Sequence, residues 1–183
     1  MNGNELEGEV ASSLYKCRSL KVVGLGNNHL NGTFPVWLGG LPKMQVLVKL
    51  LGPIECSTTT KLPFPSLKVL DLSHNGFVGH LPENYFQNFR AMKNAVKKAT
   101  EPEYLRVGSE YYSITLSVKD QQLLFTKILV DYTTIDLSNN RFEGEIPRVV
   151  GSLNSLKVVN LSHNSLTGQI PHALGNLSEI ESL

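Results

Sequence analysis

One motif returns along this chain about every 24 residues, and it constrains the fold more than any other feature. The motif reads L-x-x-L-x-L-x-x-N-x-L-x-G-x-I-P, and other apolar residues stand at some of its leucine and isoleucine positions. Four copies match all eight defined positions, and they begin at Leu20, Leu67, Tyr132 and Leu156. A motif that keeps this spacing and all its positions indicates one structural unit that is repeated and stacked.

Each position of the motif has a physical role in such a stack. The L-x-L segment, as in Leu70-Asp71-Leu72, predicts a short strand whose leucines point into the core and whose middle residue points to solvent. The Asn turns the chain out of the strand, and its amide can bond backbone groups of neighbouring coils. No coil buries its own apolar face, so the coils must stack. The sequence therefore predicts an α/β fold, a right-handed leucine-rich-repeat solenoid with a parallel sheet on its concave face.

The repeats fall into two blocks, residues 1–82 and 132–183. In the first block the copy over 44–66 is degenerate, because it lacks both the Asn and the Pro, and we expect it to be the weakest coil. Partial copies occur at both ends, and Ile180 and Leu183 fit the first two core positions of a further one. We expect the chain to be a fragment or a partial gene product.

An insertion over residues 83–131 separates the two blocks. After Leu67 the next copy should begin near residue 91, but it begins at 132, about 41 residues late. Apolar residues at helical spacing predict an amphipathic helix from about Glu83 to Ala99. Alternation predicts a strand from Tyr111 to Val118, a turn at Lys119-Asp120 and a returning strand from Leu123 to Val130. We expect this island to fold out from the concave side or the flank.

Composition and charge exclude several classes of function. The formal net charge is +1, so no global field attracts nucleic acid or an anionic membrane. No apolar run approaches the roughly 20 residues of a membrane helix, and no secretory signal opens the chain. Two cysteines, Cys17 and Cys56, are too few for a disulfide scaffold or a structural zinc site. We expect Cys17 to be buried on the outer segment, whereas Cys56 has no assignment.

Three long segments carry a family resemblance: LKVLDLSHNGFVGHLPENYFQNFRAMK, YYSITLSVKDQQLLFTKILVDYTTIDLSNNRFEGEIP and LKVVNLSHNSLTGQIPHALGNLSEIESL. They resemble the membrane-proximal ectodomain of plant leucine-rich-repeat receptor-like proteins. That family combines an extracellular repeat array, an island, one membrane helix and a short tail without a kinase. The pairing of island and repeats is much more specific than the repeats alone.

The resemblance implies sensing of a protein or peptide ligand in plant defence or development, with signal transduction through a receptor-kinase co-receptor. It implies localisation on the extracellular side of the plasma membrane for a parent protein, anchored through a segment absent from this chain. It implies no cofactor. The binding residues that it implies lie on the island and on the concave strands: Tyr111, Tyr112, Lys119, Thr133, Asp136, Asn139, Lys157, Asn160 and His163. Tyr111 and Tyr112 alternate, so one should pack and the other should be the exposed contact.

Catalytic or metal chemistry is the other interpretation of the polar strand residues. Asp71 and Asp136 share one motif position, and His74 and His163 share another, with Asn139 between the two histidines. The histidines would stand two coils apart, roughly 9.6 Å, which is too far for one metal ion. We therefore predict no catalytic residue, no metal site and no enzyme activity.

Three N-x-S/T sequons, at Asn31, Asn160 and Asn176, predict glycosylation. A glycan on Asn160 would block docking on the concave strand. The basic face of the predicted insertion helix fits a solvated face better than a docking patch.

Two alternatives to the receptor interpretation stay open. One is a secreted inhibitor of cell-wall-degrading enzymes, against which the island counts. The other is a non-functional gene fragment, which the degenerate copy and the partial end copies favour.

Overall fold

Short strands and single helical turns alternate along the chain in a computed structural model that describes residues 1, 3–31, 34–48, 64–94, 101–118 and 121–183. The strands in chain order are β1 (Glu7–Gly8), β2 (Val22–Gly24), β3 (His29–Leu30), β4 (Val46–Val48), β5 (Val69–Asp71), β6 (Val78–His80), β7 (Arg106–Val107), β8 (Glu110–Tyr111), β9 (Ile114–Val118), β10 (Gln121–Phe125), β11 (Thr134–Asp136), β12 (Arg141–Gly144), β13 (Val158–Asn160) and β14 (Ser165–Leu166). The helical segments are α1 (Glu83–Phe86), α2 (Arg90–Lys93) and the 3-10 turns Ser12–Lys16, Val36–Gly40, Arg148–Ser152 and His172–Asn176.

One parallel sheet of five strands, in the order β2-β4-β5-β11-β13, joins the coils that begin at Leu20, Met44, Leu67, Tyr132 and Leu156. The degenerate copy contributes β4, and Met44 and Leu47 are fully buried in the core. The sheet also continues across the insertion, because Leu70 of β5 pairs directly with Ile135 of β11. The chain therefore leaves one coil, forms the island and re-enters at the adjacent coil. The predicted solenoid with a parallel sheet is confirmed.

The Asn of three motif copies, Asn28, Asn140 and Asn164, joins its coil to the preceding one. Asn140 Nδ2 donates to Leu137 O in its own coil and to Leu72 O in the coil before, both at 2.9 Å. Its Oδ1 accepts the backbone N–H of Phe77 at 3.0 Å. Asn28 and Asn164 bond their own and the preceding coil in the same way. The predicted role of this amide is thus observed.

The outer side of the coil that begins at Leu67 contains α1 and α2. The prediction of a single helix from Glu83 to Ala99 is wrong over the described residues, because α1 ends at Phe86 and α2 begins at Arg90. The interruption lets both Phe86 and Phe89 face the core, with their rings 5.9 Å apart. Residues 95–99 lie outside the described residues. The stretch 83–93 is therefore the outer segment of a repeat coil and packs in the main core.

The island over 101–131 forms two short antiparallel hairpins, β7–β8 and β9–β10. The predicted returning pair of strands exists, but its bounds are Ile114–Val118 and Gln121–Phe125. Tyr111 belongs to β8, which pairs with β7 instead. The predicted turn at residues 119–120 lies outside the described residues.

The first coil corrects one expectation. Cys17 is exposed and has a free thiol, so the prediction that it is buried is wrong. It directly follows the 3-10 turn Ser12–Lys16, none of whose residues is buried, so this outer segment contributes little to the core. Cys56 lies outside the described residues. Among the helices that are described, none has the length and apolar character to cross a membrane.

Candidate binding surface

The island lies on the concave face of the sheet. The concave side chains Val46, Val48 and Val69 are buried together with Leu105 and Ile128 of the island. Partly buried residues complete this cluster, which we call the island seat: Val22, Tyr112, Phe125, Val130 and Tyr132. Burying a valine or leucine side chain stabilises a fold by about 1.5–3 kcal/mol, so the island is held mainly by apolar contact. Much of the concave face therefore does not meet solvent.

The two aspartates at the concave position are buried rather than solvent-facing, which corrects the prediction for Asp71 and Asp136. Each is only 2% exposed, and they are direct partners on adjacent strands. Asp136 Oδ1 accepts the backbone N–H and the hydroxyl of Ser138 at 3.0 and 2.6 Å, and Ser73 bonds Asp71 in the same way. This carboxylate–serine turn occurs in two adjacent coils and explains why an aspartate is tolerated beside the island.

Burial raises the pKa of Asp136, and the nearby carboxyl of Asp71 raises it further. Hydrogen bonds from Ser138 and the side chain of Asn160 oppose the increase without cancelling it. Burial likewise raises the pKa of the Tyr112 hydroxyl, and the charge of Asp71 adds to the effect. Asp136, Asp71 and Tyr112 therefore share one poorly solvated region at the edge of the island seat.

Thr133 is the second predicted contact that the structure buries, at 2% exposure. Its hydroxyl donates a hydrogen bond to Ser155 O of the next coil, so it links coils instead of facing a ligand. Lys157, at the same motif position one coil further, is half-buried. Its ammonium group pairs with Glu181 at 3.2 Å and Glu179 at 3.8 Å.

A row of polar residues follows the strands on three adjacent coils. We call His74, Asn139 and His163 the post-strand row. All three adopt the left-handed backbone conformation, with φ of 57°, 52° and 54°. Each of the first two donates its backbone N–H to the serine carbonyl of the next coil, Ser138 or Ser162. Both histidine side chains are exposed, and Asn139 is half-buried with its Nδ2 3.5 Å from His74 Nε2.

Tyr111 lies on the island, where it is 39% exposed, and Tyr112 beside it is half-buried in the island seat. Two cations contact the Tyr111 ring, with Arg106 Cζ 4.5 Å and Lys127 Nζ 4.4 Å from its centroid. Its hydroxyl accepts a hydrogen bond from Arg106 Nη2 at 2.8 Å. The ring of Tyr104 packs edge-on against it at 5.7 Å.

Tyr111 also lines an open pocket of about 480 Å³ between the island and the first strands of the sheet. The lining residues are Lys21, Gln45, Pro102, Glu103, Tyr104, Leu105, Arg106, Tyr111 and Val130. We call this the island pocket. It lies above β2 and β4, whereas Lys157 precedes β13 at the opposite edge of the sheet. Of the predicted contacts, Tyr111 lines the island pocket, and Asn139 and His163 belong to the post-strand row. Lys119 lies outside the described residues.

The sequence interpretation missed the cationic side of this pocket. Lys21, Arg106 and Lys127 are far apart in sequence, and no motif joins them. A usable signal was nevertheless present, because the concave positions of the first coils are the apolar Val22, Val46 and others. Apolar residues at a position that normally faces solvent indicate that another part of the chain covers them.

The sequons differ in their surroundings. Asn31 and Asn176 are exposed. Asn160 is half-buried, and its Oδ1 accepts both the N–H and the hydroxyl of Ser162 at 3.2 and 2.7 Å. Because Asp136 and Ser138 form the same turn one coil earlier, the repeat itself accounts for the sequon at Asn160. Glycosylation at the three sites stays a prediction.

Metal and catalytic chemistry find no geometric support in the part of the chain that the structure describes. No group of three or more His, Cys, Asp or Glu side chains there converges as a metal site would require. His74 and His163 stand on coils that are separated by the coil of Asn139, as their motif positions predict.

The fold and its surfaces define a class, the leucine-rich-repeat proteins with an island on the concave face. A family model for the Leucine Rich Repeat matches residues 19–41, 66–89, 133–153 and 155–177. Receptor-like protein 35 of Arabidopsis thaliana is 41% identical over 162 residues, which cover 85% of this chain and 17% of that protein. Receptor-like protein 18 of the same plant is 39% identical over 161 residues, 85% of this chain and 19% of the relative. The chain belongs to the plant leucine-rich-repeat receptor-like proteins, and it spans about a fifth of the length of these relatives.

Solved structures agree with this fold. The structure of PEPR1–AtPEP1 superimposes with a TM-score of 0.65 at 26% identity, over 99% of this chain and 20% of that one. The leucine-rich-repeat ectodomain of the Arabidopsis receptor kinase HAESA, in complex with an N-terminally extended IDA peptide hormone, gives a TM-score of 0.61. Its identity is 21%, over 98% of this chain and 24% of that one, so it supports the fold alone.

Proposed function

We propose that this chain is the ligand- and co-receptor-binding part of a plant cell-surface receptor-like protein. In this proposal it acts on the extracellular side of the plasma membrane and contributes to defence or developmental signalling through a partner receptor kinase. The ligand is a protein or a peptide. The relatives supply the receptor class, and the structure of PEPR1–AtPEP1, 26% identical to this chain, supports binding of a further molecule by this fold.

The single observation that carries the proposal is the division of the concave side into a covered and an open part. The island seat buries the valines of the first coils, while the post-strand row presents two exposed histidines and a half-buried asparagine on adjacent coils. The backbone of each row residue is fixed by a hydrogen bond to the next coil or by its position in the turn. A rigid row of polar side chains loses little conformational entropy when a partner binds.

Binding of the full chain to receptor-kinase ectodomains and candidate peptides, measured by surface plasmon resonance, tests this proposal. The double variant His74→Ala/His163→Ala should weaken partner binding by tenfold or more, since truncation of a central contact costs about 2 kcal/mol. Tyr111→Ala tests the island separately, because its ring faces the island pocket and not the row.

His172→Ala is the matched control, since His172 is exposed on the outer 3-10 turn away from both surfaces. It should bind as the unchanged chain does. Equal binding by the control and the double variant would contradict the proposed row. Inhibition of a pectin-degrading enzyme without any binding to receptor kinases would instead favour the inhibitor alternative.

A further inference from the structure

Positive side chains outnumber negative ones at the island pocket. Lys21 and Arg106 line it, and Lys127 stands against the rings of Tyr104 and Tyr111, which form part of its wall. Among the residues that the structure describes, Lys157 alone forms ion pairs within 4.0 Å. The three cations at the pocket therefore have no carboxylate partner in the described part of the chain.

Glu103 is the one acidic residue in the pocket lining. Its charge acts on Lys68, a buried lysine whose Nζ donates a hydrogen bond to Val130 O. Burial lowers the pKa of Lys68, and the carboxylates of Asp131 and Glu103 partly oppose that decrease. Lys21, Arg106, Lys127 and Lys68 thus outnumber the carboxylates of Glu103 and Asp131, and positive charge is in excess at the pocket.

Two of the three cations, Arg106 and Lys127, are held in place before any ligand arrives. The Arg106 guanidinium lies over the Tyr111 ring, and its Nη2 donates a hydrogen bond to the Tyr111 hydroxyl. Its remaining N–H groups are free to form a fork that matches the two oxygens of a carboxylate. Lys127 is fixed against two aromatic faces, at 5.6 Å from the centroid of Tyr104 and 4.4 Å from that of Tyr111.

We propose that the island pocket binds a carboxylate group of an acidic peptide, with Arg106 as the bidentate contact and Lys21 on the opposite, sheet-side wall. The volume of about 480 Å³ exceeds one carboxylate and accommodates an acidic side chain with its flanking backbone. This inference rests on the proposed ligand-binding function and adds the chemistry of the ligand.

Fluorescence anisotropy of the full chain with a labelled hexaglutamate peptide tests the assignment, with the hexaglutamine peptide as the uncharged probe. Measurements belong at low ionic strength, because salt screens exposed charges. Hexaglutamate should bind, and hexaglutamine should not. Arg106→Gln and Lys21→Gln should each weaken binding about tenfold, in line with the loss of one charged hydrogen bond.

Lys43→Gln provides the matched control, because Lys43 is an exposed lysine outside the pocket and the variant has the same charge change. It should change affinity less than twofold. Circular dichroism of each variant verifies that the fold is retained.

Three results would overturn the assignment. One is equal binding of the two peptides, and a second is a loss in Lys43→Gln as large as that in Arg106→Gln. The third is stronger competition by inorganic phosphate than by glutarate at equal ionic strength, which would assign the pocket to another anion. If any of these occurs while the His74/His163 variant still loses partner binding, the receptor function stands and only the ligand chemistry is wrong.

Discussion

Asn140 shows how one polar side chain stabilises the stack. Its amide nitrogen donates to the carbonyls of Leu72, Leu137 and Ser138, and its Oδ1 accepts backbone N–H groups of Asn75 and Phe77. The residue is buried, so every one of these groups would lack water if the amide were removed. A buried polar group without a partner costs about 1–3 kcal/mol.

We therefore expect Asn140→Ala to lower the free energy of unfolding by about 3 kcal/mol, since several backbone groups lose their partner together. Urea unfolding followed by circular dichroism measures this. Asn154→Ala, at an exposed turn, is the control and should change stability by less than about 0.5 kcal/mol. A similar loss in both variants would show that the amide ladder is not what joins the coils.

Asp136 gives the chain a pH dependence with a defined sign. Because burial raises the pKa of Asp136 in the folded state, the folded state prefers the protonated carboxyl. The resulting stability is fully present below the ordinary carboxyl pKa and is lost as pH rises through the raised value. Asp71, its direct partner on the adjacent strand, is the titratable group whose charge raises the pKa of Asp136 further.

Asp136→Asn isolates this effect, since its side-chain oxygen can still accept the hydrogen bonds of Ser138. The unfolding free energy of the unchanged chain should fall relative to that of Asp136→Asn as the pH rises from about 4. Urea unfolding across a pH series measures the difference. Parallel pH profiles of the two proteins would mean that the carboxyl titrates normally.

At the scale of elements, the outer 3-10 turns stack closely. A Cβ atom added to Gly151 would lie 2.1 Å from Ala173 O of the next coil, whereas one added at Gly175 would meet nothing within 4 Å. The two glycines occupy the same place in turns Arg148–Ser152 and His172–Asn176, one repeat apart. They form a natural matched pair that differs only in the presence of a stacked neighbour.

Gly151→Ala should destabilise the chain by about 1–3 kcal/mol, because the two coils must move apart to admit the methyl group. Gly175→Ala should be neutral or stabilise by about 0.4–1 kcal/mol through the lower entropy of the unfolded chain. Thermal unfolding of both variants measures the contrast. Equal effects would show that the coils are not stacked at this separation.

The elements also show which parts of the fold a sequence can predict. The strands around Leu70, Ile135 and Val159 were predictable, because the repeat fixes both their period and their partners. The helix from Glu83 was predicted too long, since the spacing of Phe86 and Phe89 fits one helix as well as two turns that both face the core. Local periodicity does not distinguish these cases when packing decides the geometry.

At the scale of the molecule, the contact between island and sheet could not be predicted from the motif. It joins residues such as Val48 and Leu105 that are distant in sequence, and it buries concave valines that the repeat alone assigns to a surface. Of the predicted contacts within the described residues, His163 and Tyr111 are exposed. The sheet residues that line a pocket with Tyr111, such as Lys21, come from long-range packing, which the motif does not encode.

The island covers the concave face of the first coils, and the reactivity of a thiol placed at Val69 tests this most directly. In a background with Cys17→Ser and Cys56→Ser, Val69→Cys places a thiol in the island seat, while Ser162→Cys places one at an exposed position after β13. With Ellman's reagent, Val69→Cys should react at least about a hundredfold more slowly, because the reaction must wait for the island to open. Equal reaction rates would contradict the account, because they would show that the concave face at Val69 is open to solvent.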